Sequence, residues 1–149
     1  MLITQISVYL ENNKGTLREL TKLLGENAVD MLALSIADTL HFGITRIVVR
    51  KNDVDKTISI LRENGFVART DEVICIAVPN HPAGLDTVLG IIEENNISIE
   101  YMYSLNYNSG DKALLVMRLK ADGTTSEQIE ALLGEKGVET VSQSRIDLL

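Results

Sequence analysis

Leu17, Leu20, Leu23 and Leu24, spaced as on one side of a helix, are each followed 68 positions later by Leu85, Val88, Ile91 and Ile92. The same offset carries Ile6, Val8 and Leu10 onto Ile74, Ile76 and Val78, then Val29 and Met31 onto Ile97 and Ile99. Further along, Ile47, Val48, Val49 and Arg50 fall on Leu115, Val116, Met117 and Arg118. Few residues are identical in this register, Asn27 with Asn95 and Arg50 with Arg118 among them. What repeats is the apolar pattern, held across strand, turn, helix and two further strands, and chance seldom keeps so many elements in step. The chain reads as a duplication. Past Arg118 the register slips by a few residues, so that Gly65-Phe66 matches Gly137-Val138, and the slip points to a longer loop around residues 121–125.

Each copy reads strand, helix, strand, strand, helix, strand. In the first copy these are about residues 2–10, 16–26, 29–39, 43–50, 53–64 and 66–70. In the second they are about 72–78, 84–94, 97–107, 112–119, 125–136 and 138–147. The domain division is therefore 1–70 and 71–149. A βαββαβ order folds as an antiparallel four-stranded sheet with both helices on one face, the ferredoxin-like arrangement. The fold class expected is α+β, two such units in tandem. With only 4% aromatic residues, the cores must be built from Leu, Ile and Val.

A sheet with helices on one face leaves the other face to water, yet residues 32–37 and 73–78 are apolar at odd and even positions alike. Something is expected to cover that face: the other copy, a second chain, or both together in a homodimer. Tyr101, Tyr103 and Tyr107 fall in one strand, where alternation puts them on one side. They suit a domain interface better than the wall of a ligand site. Cys75 lies inside the run 73–78 and reads as a small buried hydrophobe.

Both strand-to-helix turns are built alike. The first is Asn12, Asn13, Lys14, Gly15, Thr16, Leu17; the second is Asn80, His81, Pro82, Ala83, Gly84, Leu85, with Pro79 just before it. Asn, Gly and Pro are ordinary punctuation between a strand and a helix, and that alone accounts for both prolines of the chain sitting here. The turns also resemble the Asn-x-Pro-Gly-x-Leu-like turn of the ACT domain, a small-molecule sensing module that regulates amino-acid metabolism. The first copy keeps Gly15 but has Lys14 in the proline slot. The second keeps Pro82 but has Ala83 in the glycine slot and Gly84 one place later.

The resemblance covers nearly the whole chain as two tandem copies and implies a free amino acid, or a similarly small effector, as ligand. By that resemblance the two six-residue turns are the candidate sites, with Asn12 and Asn80 offering a side-chain carbonyl to an ammonium group. The physics suits the assignment, because a helix N-terminus presents unpaired N–H groups and a partial positive charge to a carboxylate. Gly15 favours the first turn; Ala83 makes close backbone approach poorer in the second. Helix-end electrostatics contribute about 0.3–2 kcal/mol, whereas micromolar binding needs about 8 kcal/mol. Enclosure by a neighbouring domain must supply the rest, which predicts binding at an interface and coupling of ligand to association.

The net charge of −7, without any Lys/Arg cluster, argues against nucleic acid as a partner. The longest apolar run, 73–78, is far short of the ~20 residues that span a bilayer, so no membrane partner is expected and the reading is a soluble cytoplasmic protein. There is no nucleophile beside a base, no metal-ligand spacing and no glycine-rich phosphate loop. His41 and His81 occupy unrelated repeat positions and read as loop residues. No catalytic residue, metal or cofactor is assigned, and the reading is non-enzymatic: a regulatory protein that binds an amino acid, forms a homodimer and acts on a metabolic enzyme. The rival reading is a structural module that binds an enzyme partner with no ligand in its turns.

Overall fold

The computed structural model describes residues 1–11, 13–38 and 42–149. Asn12 and His41, singled out above, lie outside the described residues. The elements run β1 (Ile3–Glu11), α1 (Thr16–Glu26), β2 (Ala33–Asp38), β3 (Phe42–Val48), α2 (Lys51–Glu63), β4 (Val67–Pro79), α3 (Gly84–Glu94), β5 (Ser98–Ser109), β6 (Lys112–Lys120), α4 (Ser126–Glu135), β7 (Glu139–Thr140) and α5 (Gln143–Ile146). The chain divides into two compact units, one of Thr4–Asp71 and the other of Met1–Ile3 with Glu72–Leu149.

Strand order in the first unit is β2-β3-β1-β4, and in the second β5-β6-β4-β7. Position for position these are the same order, with the first strand of each βαββαβ unit second from one edge. The ladders of β1 with β3, β2 with β3, β4 with β6, β5 with β6 and β4 with β7 are all antiparallel. The tandem α+β reading stands.

The core of each unit follows from the repeat. In the first, Ile6, Val8 and Leu10 of β1 pack with Leu20 and Leu24 of α1, Ile47 of β3, and Val54 and Leu61 of α2. In the second, Ile74, Ile76 and Val78 of β4 pack with Val88 and Ile92 of α3, Leu115 and Met117 of β6, and Ile129 and Leu133 of α4. Each such buried side chain contributes about 1.5–3 kcal/mol. The ladders are not superimposable, since Ile6 faces Ile47 whereas Ile74 faces Met117, two places beyond Leu115. An even slip keeps the same residues toward the helices, so the apolar pattern survives it.

The faces turned away from these cores are also buried, as the continuous apolar runs imply. In the second unit Cys75 and Val116 face each other across the ladder and are both fully buried, beside Ala77 and Leu114. Tyr103 continues this row from β5, and its ring stacks on that of Tyr101 with centroids 6.4 Å apart. The β5–β6 register shifts between Ser104 and Asn108, which ends the simple alternation before Tyr107. In the first unit the same face carries polar side chains beside the buried Ala33 and Val48. Gln5 and Ser7 are buried there, and the Ser7 hydroxyl donates to the Asp71 carboxylate at 2.8 Å.

Helix ends explain several of the repeated residues. Asn27, Asn64 and Asn95 each cap a helix C-terminus, and each side-chain amide donates to the carbonyl four residues back at 2.7–2.8 Å. After α2 and α4 the chain turns through left-handed Gly65 and Gly137 (φ +85° and +89°). The next N–H groups, of Phe66 and Val138, then reach back to the carbonyls of Leu61 and Leu133 at 3.0 and 2.9 Å.

The structure corrects three boundaries. Residues 66–70 and 72–78 are not separate strands, because β4 runs unbroken from Val67 to Pro79. The strand placed at 29–39 begins only at Ala33, since Ala28 takes a left-handed turn and the Val29 N–H is spent on the Leu24 carbonyl. The last strand, placed at 138–147, is the two residues of β7 followed by α5. Ser142 stops it by capping α5, accepting from the Arg145 N–H, while Val141 and Ile146 are buried instead on either side of the cap. The extra residues of the second copy form a turn closed by the Ala121–Thr124 bridge, just before α4.

Burial pushes the Cys75 thiol up to about 12. With thiolate suppressed and the sulfur inaccessible, Cys75 is expected not to react with an aromatic disulfide reagent at about pH 8 in the folded protein and to react fully in guanidinium. Stoichiometric labelling without denaturant would contradict this burial.

Candidate functional site

In both units the first strand ends at a turn, the first helix begins there, and the turn after the second helix comes up alongside. A cleft lies between these three. In the first unit its volume is about 520 Å³. Tyr9, Glu11, Asn13, Thr16 and Glu19 line one side of it and residues 64–67 the other. In the second unit the volume is about 320 Å³. Ala77, Pro79, His81, Gly84 and Thr87 line one side, and residues 136–139 with Lys112 the other. The first set maps onto the second at the 68-residue offset, and 64–66 maps onto 136–138 across the insertion. Both volumes fall within the ~300–1,000 Å³ of small-molecule sites.

Both turns set the helix start in the same way. The residue before α1 is Gly15 at φ +93°, and the residue before α3 is Ala83 at φ +69°, each in the left-handed region. Neither helix has a side-chain cap. By contrast α4 carries a full capping box, in which the Thr125 hydroxyl accepts from the Gln128 N–H at 3.2 Å and the Gln128 side chain accepts from the Thr125 N–H at 2.9 Å. The first N–H of each helix is taken by a turn carbonyl, that of Thr16 by Asn13 at 3.2 Å and that of Gly84 by His81 at 3.1 Å, which leaves the next two N–H groups unclaimed by any side chain of the turn.

The displaced glycine of the second turn has a steric cause. A Cβ at Gly84 would stand 2.2 Å from the Pro79 carbonyl oxygen, a contact that no side chain can make. At Gly15 a Cβ would meet nothing within 4 Å. The first copy thus spends its glycine on backbone conformation. The second spends it on close approach and leaves Ala83 to bear the left-handed turn.

Of the sequence-derived site residues, Asn13, Lys14 and Thr16 line the first cleft, and His81 and Gly84 line the second. Gly15, Asn80, Pro82 and Ala83 shape the turns without lining them. The Asn80 N–H is tied to the Asp111 carbonyl at 2.8 Å, and the exposed His81 ring has Nδ1 2.8 Å from the Pro82 carbonyl oxygen. Leu17 and Leu85 pack against the cores. The sequence reading missed the strand-end residues Tyr9 and Glu11 and the whole far wall at 64–67 and 136–139. The matched pair Gly65-Phe66 and Gly137-Val138 was the signal that could have found that wall.

The electrostatics of the two clefts differ. In the first, the Asn13 side-chain amide donates to Glu11 Oε2 at 2.9 Å. In the second, Glu139 accepts from Lys112 Nζ on one oxygen and from the Arg145 guanidinium at 2.6 Å on the other. These hydrogen bonds, Lys112 first, hold the Glu139 carboxyl below its ordinary range. Among the described residues no group of three or more His, Cys, Asp or Glu could hold a metal ion. None of their helices is long and apolar enough to cross a membrane.

A family model described as the ACT domain pair matches residues 1–143. Protein BT0572 from Bacteroides thetaiotaomicron has a crystal structure similar to this one, at 35% identity over 100% of this chain and 98% of that one, with a TM-score of 0.84. The ligand-free regulatory subunit of aspartate kinase from Thermus thermophilus aligns at 14% identity over 89% and 90% of the two chains, TM-score 0.63. The corresponding regulatory subunit from Thermus flavus aligns at 12% over 89% and 90%, TM-score 0.58. The two kinase subunits share the fold at these identities and nothing finer. No curated protein matches the sequence.

Gly84→Ala is expected to cost about 1–3 kcal/mol, because the Pro79 carbonyl must move, and Ala83→Gly to gain up to about 1 kcal/mol by relieving the left-handed strain. Urea denaturation of both variants checks the pair. The Glu139 pair has its own signature in pH. Since the folded carboxyl titrates lower than the unfolded one, its stabilisation is complete above the unfolded value and is lost as pH falls through the folded value. The stability gap between the wild type and Glu139→Gln should therefore be widest near about pH 6–7 and narrow as the pH falls below the ordinary carboxylate range. A gap independent of pH would remove the ionic contribution.

Proposed function

We propose, from the premise that the chain belongs to the ACT domain pair family, that it is a non-catalytic regulatory protein that binds a free amino acid in these clefts. The observation that carries this reading is the recurrence of one cleft, against one uncapped helix N-terminus, at repeat-equivalent positions of both units. The α-carboxylate of the ligand is received by the first-turn N–H groups of α1 or α3. Its ammonium group is received by carboxylate or carbonyl oxygens of the turn, Asn12 included. The functional copies are residues 1–70 and 71–149.

Affinity sets the next requirement. Each cleft is open on one side, and the helix end supplies only part of the free energy of micromolar binding. A second copy of the chain closing over the clefts supplies the remainder, so the working form is a homodimer whose association responds to ligand. The regulated target is an enzyme of amino-acid metabolism in the cytoplasm, in keeping with the regulatory subunits of aspartate kinase that share this fold. The competing reading, a ligand-free module for an enzyme partner, is favoured by no particular residue of the clefts.

Calorimetry and thermal shift against the twenty amino acids at millimolar concentration test the proposal. At least one is expected to bind and raise the melting temperature; silence from all twenty overturns it. Gly15→Asp places a carboxylate at the head of α1, where space is open, and costs about 1–2 kcal/mol for a side chain at the left-handed position. It is expected to weaken binding at the first cleft by about tenfold or more, with the fold retained as seen by circular dichroism. Unchanged affinity would exclude that turn.

A further inference from the structure

The two clefts are equivalent in backbone and opposite in charge. Where the first has Glu11, Glu19 and Asn64, the second has Pro79, Thr87 and Lys136. The first cleft thus has two carboxylates that the second lacks, and the second has an ammonium group that the first lacks; Lys14 in the first and the paired Lys112 and Glu139 in the second complete the charged lining.

We infer that the clefts have diverged in ligand charge: the first takes an amino acid with a cationic side chain, and the second an amino acid with an additional carboxylate. The inference rests on the amino-acid reading above and deepens it. In the first cleft Lys14 stands at the helix N-terminus, where the α-carboxylate is received, leaving Glu11 and Glu19 for the rest of the ligand. A single α-ammonium group satisfies one of these carboxylates. Asn13 supports Glu11 in place by its 2.9 Å hydrogen bond, and Glu19, one turn into α1, makes no ion pair among the described residues. The carboxylate left over calls for a second positive group.

In the second cleft the balance is reversed. Glu139, the carboxylate in its wall, is occupied on both oxygens by Lys112 and Arg145. Lys136 makes no ion pair among the described residues. With the α-carboxylate at the head of α3, Lys136 is left to a second acid group. The smaller volume and the apolar floor of Val88, Ile91 and Val138 favour a short, compact dicarboxylate. An attraction of this kind between groups near the surface is screened by salt, which gives the assignment a second handle.

The test measures calorimetric affinities of L-lysine and its neutral analogue L-norleucine, and of L-glutamate and L-glutamine. The protein is the full chain, as wild type, as the Glu11→Gln/Glu19→Gln double variant and as Lys136→Gln. L-Lysine is expected to bind about tenfold or more tighter than L-norleucine. That advantage should vanish in the double variant and persist in Lys136→Gln. The advantage of L-glutamate over L-glutamine should vanish in Lys136→Gln and persist in the double variant. In the wild type both advantages should shrink as salt rises from about 50 to 500 mM, a measurement that needs no variant to fold. Binding without preference between charged and neutral members overturns the charge assignment and leaves the amino-acid reading intact. Loss of both advantages in the same variant, or insensitivity to salt, also overturns the assignment. No binding by any amino acid overturns both.

Discussion

Burial of one row of side chains governs the rest of this structure. Ile6, Val8 and Leu10 in one unit, and Ile74, Ile76 and Val78 in the other, must lie under two helices to leave water. A strand covered by two helices on one side fixes where those helices begin and end. The first helix must start at the rim where the strand stops, and the second must finish beside it. The cleft is what that rim leaves over. It exists because the core is satisfied, and the edge of the core, Leu10 in one unit and Val88 and Val138 in the other, forms part of its lining.

The fold was legible because apolar periodicity is set by burial, and burial is the same in both copies. The spacing of Leu20 and Leu24, repeated in Val88 and Ile92, is a direct image of the helix face against the sheet. Element ends were legible only where a residue has a single conformational reason to be there, as with Gly65 and Gly137. Where the reason is tertiary, the sequence misled. The end of the chain reads as a strand by composition, yet a serine cap and the burial of Val141 and Ile146 turn it into a short helix.

The candidate site was legible by half. Turn residues lie together in sequence, so Asn13, Lys14 and Thr16 could be found from their neighbours. The far wall arrives from the end of another helix some fifty residues away. Only its paired glycines hint that the two copies share it. Pro79 and Gly84 teach a related lesson, since a glycine moved by one place looked like a weakened motif. It is a packing demand from a neighbouring carbonyl, met by handing the strained backbone conformation to alanine.

The helix-end turns at Gly65 and Gly137 place each far wall, while Glu11, Glu19 and Lys136, which distinguish the clefts, sit on exposed positions. Scaffold and cleft charge are therefore written in largely separate residues, Asn64 serving both. After the ancestral gene doubled, the cleft linings could diverge without crossing a barrier of misfolding, because exchanging Glu19 for a threonine touches no core contact and a lysine in place of Asn64 gives up only a helix-end hydrogen bond. One inherited architecture thereby carries two cleft linings of different charge.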